Sequence, residues 1–138
     1  MDWFNTTADA AFRANVDIPA MVSGNELYFA FTSGVTPDRS DGGHEFMQDL
    51  LDAGGTVETE AELTNESFSN GALDSTDSSV TIPDPGGGST ATFCVLYQKT
   101  GDNTTSRLLA AEDISDLTFD GTDDTLNLPS PILEATTP

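Results

Sequence analysis

The sequence predicts a mainly β domain, a sandwich or open barrel with one or two short helices, and three observations carry that prediction. Short segments rich in aromatic and β-branched residues recur between turn signals such as Asn70-Gly71 and Asp120-Gly121. Two of them, "ELYFAFTS" and "TATFCVLYQ", are apolar on both faces, so each calls for cover on both sides. Helical periodicity is confined to short stretches, and no run is long enough to span a bilayer.

In chain order, "NTTADAAFRAN" reads as an N-terminal helix, with Thr6 and Asp9 spaced as a weak capping box and Phe12 one turn beyond Ala8. Trp3 and Phe4 precede it, placed to staple the helix, to enter the core or to dock on a partner. In "DIPAM", Pro19 is expected to end any helix. "ELYFAFTS" is the first strand, with Leu27, Phe29 and Phe31 on one face and Tyr28 and Ala30 on the other. "GVTPDRSDGG" is a loop, and "HEFMQDLLDAGG" a second short helix with an apolar stripe of Phe46, Leu50 and Leu51. Gly54 or Gly55 terminates it.

From Thr56 the pattern is β. "ELTNESFSNGAL" reads as a hairpin about Asn70-Gly71, and "SSVTIPDPGGGS" as a strand and a flexible loop. "TATFCVLYQ" and "RLLAAEDI" pair across "KTGDNTTS", whose span from Lys99 to Arg107 is expected as an exposed tip. "DLTFDGTDDTLNLP" supplies two short segments around Asp120-Gly121, and "ILEA" closes the sheet. The whole, residues 1–138, reads as one domain, with residues 1–20 as an N-terminal helix or arm.

Composition narrows the function. The chain has 24 acidic and 4 basic residues, a formal net charge of −20. Such a chain offers no cationic patch to displace counterions, which argues against nucleic acid and against an anionic membrane surface. Acidity of this degree fits a protein working in very high salt, where self-repulsion is screened, or a surface that resists clumping. The hydrophobic fraction is 36%, low for a globular domain. Long loops or a core completed by neighbouring subunits would each account for it. The start of the chain lacks the basic-then-apolar order of a secretion signal, so synthesis in the cytoplasm is expected.

No catalytic pattern emerges, and the chain is expected not to be an enzyme. "HEFMQ" resembles the start of a zinc-protease helix, but Gln48 stands where the second histidine must be, and His44 is the only histidine. His44 reads instead as a helix-start residue near Asp41. Cys94 is the only cysteine, so no intramolecular disulfide forms, and in "FCVLY" it reads as a core residue. "DGTDD" and "DSTDSS" lack the full oxygen spacing of a calcium loop and read as solvated turns. Gly86 to Gly88 lack the lysine and helix of a phosphate loop. No catalytic residue, cofactor or metal ligand is therefore assigned. Asn5, Asn65 and Asn103 each open an Asn-X-Ser/Thr triplet, a pattern common by chance in a Thr-rich chain.

Three stretches together resemble a known family: "FNTTADAAFRANVDI", "ELYFAFTSGVTPDRSDGGHEFMQDL" and "TFCVLYQKTGDNTTSRLLAAEDI". Their order is similar to that of small virion structural proteins of tailed double-stranded DNA phages. There an "FN" helix precedes a strand like "IKVALVTS", a loop leads to "HDFLSD", and a "VLY" strand turns through "TG" into an "LIA" strand. The equivalents here are Phe4-Asn5, Leu27 to Ser33, His44 to Asp49, Val95 to Tyr97, Thr100-Gly101 and Leu108 to Ala110. The Gly-Tyr pair usual after the second helix is absent, with "GGTVETEAEL" in its place.

The resemblance implies a virion protein without an active site. Its expected place is the head, as a decoration or minor capsid protein contacting the major capsid protein. It is also expected to contact copies of itself, a trimer being favoured. The tail or baseplate is the alternative position. A calcium- or carbohydrate-binding β-module is the alternative outside the virion. Trp3, Phe4 and Phe12 are the candidate partner contacts, as aromatics near a terminus.

Overall fold

The computed structural model describes residues 1–4 and 16–134. The helix expected over residues 5–15, with Phe12, lies outside the described residues. Along the described chain run β1 (Asp2–Trp3), α1 (Ile18–Ser23), β2 (Leu27–Ser33), α2 (Met47–Asp52), β3 (Thr56–Glu62) and β4 (Glu66–Ser69). There follow β5 (Ala72–Ser75), β6 (Ser79–Ile82), β7 (Thr90–Gln98), β8 (Leu108–Thr118), β9 (Asp124–Asn127) and β10 (Leu133–Glu134). The protein is mainly β, with antiparallel sheets and two short helices among the described residues.

A five-stranded sheet in the order β1-β8-β7-β2-β3 forms the centre. Its two faces bury different residues, because side chains alternate along each strand. Leu27, Phe29 and Phe31 of β2 and Cys94 and Leu96 of β7 join the larger core cluster. Leu73, Val80, Ile82 and Leu133, from the smaller sheets β10-β5-β4 and β6-β9, complete that cluster. Ala30, Val95 and Tyr97 face the other way and pack with Met47 and Leu50 of α2. The two-sided apolarity of "ELYFAFTS" and "TATFCVLYQ" thus has a simple cause: small sheets cover one face and a helix the other.

β7 and β8 escape strict alternation through two shifts of register. Leu96 pairs with Ala110 and Tyr97 with Leu108, so Leu109 is an extra residue in β8. Leu109 and Ala110 consequently both join the larger cluster, while Leu108 and Ala111 join the smaller. Nearer the other end Ala91 pairs with Leu117 and Phe93 with Asp113. The intervening Ser115 and Asp116 both take left-handed conformations, φ 54° and 61°. Asp113 steadies that kink, its Oδ1 accepting the Ser115 N–H at 2.8 Å.

Two expectations need correction. Pro19 does not end a helix but stands in the first turn of α1, where its missing N–H has no intrahelical partner to lose. Asp17 caps that turn, accepting the Ala20 N–H at 3.0 Å. In α2 the fully buried residues are Met47 and Leu50, whereas Phe46 is the N-cap and Leu51 is half-buried. The two segments expected around Asp120-Gly121 both form, in different pairings. The first is the end of β8, paired to β7, and the second is β9, paired to β6. The hairpin at Asn70-Gly71 forms as expected, with both residues left-handed between β4 and β5.

Candidate functional site

The residues expected at a partner surface separate in the structure. Phe4 is fully buried in the smaller core cluster, and its N–H donates to the Leu109 carbonyl at 2.9 Å. It is a core residue, not a partner contact, because the short strand β1 carries it onto the α2 side of the central sheet. Trp3 pairs with Ala110 through the backbone, and Phe12 lies outside the described residues.

The hairpin of β7 and β8 carries the chain's only cysteine, Cys94, its only lysine, Lys99, and Arg107. Its loop is exposed from Lys99 to Thr105, as expected, but it is anchored to α2. The Met47 N–H donates to the Ser106 carbonyl at 2.9 Å, Gln48 N–H to Asn103 at 3.0 Å, and Leu108 N–H to the Glu45 carbonyl at 3.0 Å. The loop thus satisfies amides of the first turn of α2 that have no partner within the helix. Asp49 serves the same end from within, its Oδ2 accepting the N–H groups of Phe46 and Glu45, both at 2.9 Å. Those two donors, Phe46 first, hold its carboxyl below the usual carboxylate range. Ser106, itself buried, donates to the Asp102 carbonyl and accepts from the Thr100 N–H, which closes the loop.

The basic residues of this hairpin both meet acids. Arg107 lies 3.1 Å from Glu45 and 4.9 Å above the Phe46 ring. Lys99 contacts Glu60 and sits 4.8 Å from the Tyr28 ring centre. Glu60 also accepts the Tyr97 hydroxyl, and burial first, then this carboxylate, pushes the Tyr97 phenol well above its ordinary range. Each cation is thus paired with a carboxylate and set against an aromatic ring.

Elsewhere the acids do structural work between loops. Asp84 accepts the Gly86 N–H at 2.7 Å and the Gly121 N–H at 2.8 Å, and its own N–H donates to Asp123 at 2.9 Å. Asp120 accepts both the Thr122 hydroxyl and N–H, which lowers its pKa, the hydroxyl contributing most. Asp77 accepts from Thr64 at 2.7 Å and Asn65 at 3.1 Å. Glu66 differs: burial, then the neighbouring Glu62 and Asp77, raises its pKa. Among the described residues no group of three or more His, Cys, Asp and Glu is placed to hold a metal. His44 Nδ1 accepts the Asp38 N–H at 2.8 Å, closing the loop before α2 with Asp38 rather than Asp41. Cys94 is fully buried, and burial pushes its thiol well above the ordinary range, away from nucleophilic chemistry.

One feature that sequence reading passed over is the open edge of the sheet at β3, "TVETEAE". Glutamates at alternate positions 58, 60 and 62 were the available signal. Comparison with family models, with curated proteins and with solved structures finds no match to this chain.

Proposed function

We propose that this chain is a structural protein of a tailed virus particle, a head decoration or minor capsid protein that stabilises the shell through protein–protein contacts in high salt. The observation that carries the reading is the way the phage-like stretches gather. "ELYFAFTS", "HEFMQD" and "TFCVLYQKTGDNTTSRLLA" are distant in sequence, yet they form one body: β2 pairs with β7, β7 with β8, and their loop docks on α2. Resemblance spread over unrelated surface patches would carry less weight than resemblance concentrated in one packed unit. The surface chemistry fits the same role. Its polar groups are spent on capping and on tying loops together, which suits a scaffold that must stay rigid while it bears on neighbours.

Copy number in purified particles tests the reading, by quantitative mass spectrometry against the major shell protein. A ratio comparable to the shell protein is expected for a head decoration. A ratio far below it would move the protein to the tail, neck or a vertex, and absence from clean particles would overturn the virion role.

A further inference from the structure

We infer that the open edge of β3 is a docking site for an extended, lysine- or arginine-bearing segment of another protein, which adds to the central sheet as a sixth strand. The argument starts from hydrogen-bond direction. The Leu63 N–H donates to the Leu27 carbonyl at 2.9 Å, and the Tyr28–Glu62 register makes Leu27 and Leu63 a directly opposed pair. In an antiparallel ladder hydrogen-bonded and non-bonded pairs alternate. Phe29–Ala61 and Phe31–Thr59 therefore exchange bonds, while Tyr28–Glu62 and Ala30–Glu60 do not. The Lys99 N–H donating to the Glu26 carbonyl at 2.7 Å fixes the same phase on the β7 side of β2. The main-chain N–H and C=O groups of Glu60 and Glu62 consequently point outward, away from β2.

β6 approaches β3, but among the described residues no strand is hydrogen-bonded to that side of it, where the sheet order ends. The residues whose backbone faces outward also carry carboxylates, and Glu58 adds a third. Among the described residues Lys99 pairs with Glu60, which also accepts the Tyr97 hydroxyl, while Glu58 accepts the Ser33 hydroxyl at 2.6 Å. A second copy of β3 would set glutamate against glutamate on chains of net charge −20, which is unfavourable. A cationic strand would gain both the ladder and the charge pairing. The other long edge, on β8 beyond Ala111, is less suited, because left-handed Ser115 and Asp116 kink it away from a straight partner. The inference stands on the sheet edge and does not depend on the virion role, so particle copy number and edge binding can fail separately.

The test is residue-resolved amide hydrogen exchange on the full chain with an eight-residue peptide alternating lysine and valine. The same peptide N-methylated at alternate residues keeps the charge but loses one edge of donors. The Glu60 and Glu62 amides are expected to slow about tenfold with the first peptide and not with the second. Glu62 is exposed, so Glu62→Lys should leave the fold intact and weaken peptide binding by about three- to tenfold. Absence of slowing, or equal slowing with both peptides, would overturn the inference and leave the glutamates only the role of keeping other strands away. Protection that grows with protein concentration in the absence of peptide would overturn it too, in favour of self-pairing.

Discussion

Asp49 shows how much one carboxylate does at the residue scale. It accepts two backbone N–H groups at the start of α2, and those donors hold its carboxyl below the 3.8 usual for a free aspartate. A lowered folded-state pKa means that the unfolded chain binds the proton more readily. The stabilisation is therefore fully present above pH 3.8 and is lost as pH falls through the folded value. Asp49→Asn should cost about 1 kcal/mol at neutral pH in urea denaturation, with the gap to the parent closing in acid. A gap that persists unchanged at low pH would mean that shape, not charge, matters there. This residue was hidden in the sequence because "HEFMQDLL" reads as an apolar stripe. Its cap lies at Phe46, a residue with no side-chain acceptor, and the help comes backward from the third helical position.

At the scale of elements, a strand was legible wherever a dense apolar pattern marked it, and a pairing wherever the partners were near in sequence or a turn dipeptide fixed the register. β2, the Asn70-Gly71 hairpin and the pairing of β7 with β8 belong to this class. Pairing of β6 with β9 was not legible, since four residues from each strand meet across a long connection without a local turn signal. The α2–β3 turn offers a clean test of local geometry. A Cβ on Gly55 would stand 2.6 Å from Val35 Cγ1 and 2.7 Å from the Leu50 carbonyl. Gly54 has open space around it but a left-handed φ of 99°. Gly55→Ala should lower stability by about 1–3 kcal/mol through overpacking, and Gly54→Ala by about 1 kcal/mol through backbone strain. Equal losses in thermal unfolding would show that the close approach of Val35 relaxes without cost.

For the whole molecule, charge is the dominant quantity. A net charge of −20 opposes compaction, and the opposition weakens as the screening length falls from about 10 Å at 0.1 M to about 3 Å at 1 M salt. The melting temperature should rise on the order of 5–10 °C between dilute buffer and molar sodium chloride. Full stability in dilute buffer would remove the case for adaptation to salt. The mainly β class and the two-faced sheet could be read from the sequence, because both follow from local apolar pattern. The candidate surface could not. Phe4 looked available as an aromatic near a terminus, and only the pairing of β1 with β8 reveals that it is enclosed. The β3 edge was signalled only by its alternate glutamates, since an unpaired edge is a property of strand order and not of any one strand.

The extra leucine in β8 has a consequence for how this fold tolerates changes of length. A one-residue deletion inside a strand normally turns every following side chain to the wrong face. Here Leu108 stays opposite Tyr97 and Ala110 opposite Leu96 whether or not Leu109 lies between them. Losing one leucine of the pair forfeits a buried side chain and the carbonyl that receives the Phe4 amide, but it leaves the rest of the ladder in frame. The hairpin therefore carries a spare position, at which insertion and deletion can be absorbed without rewriting the core.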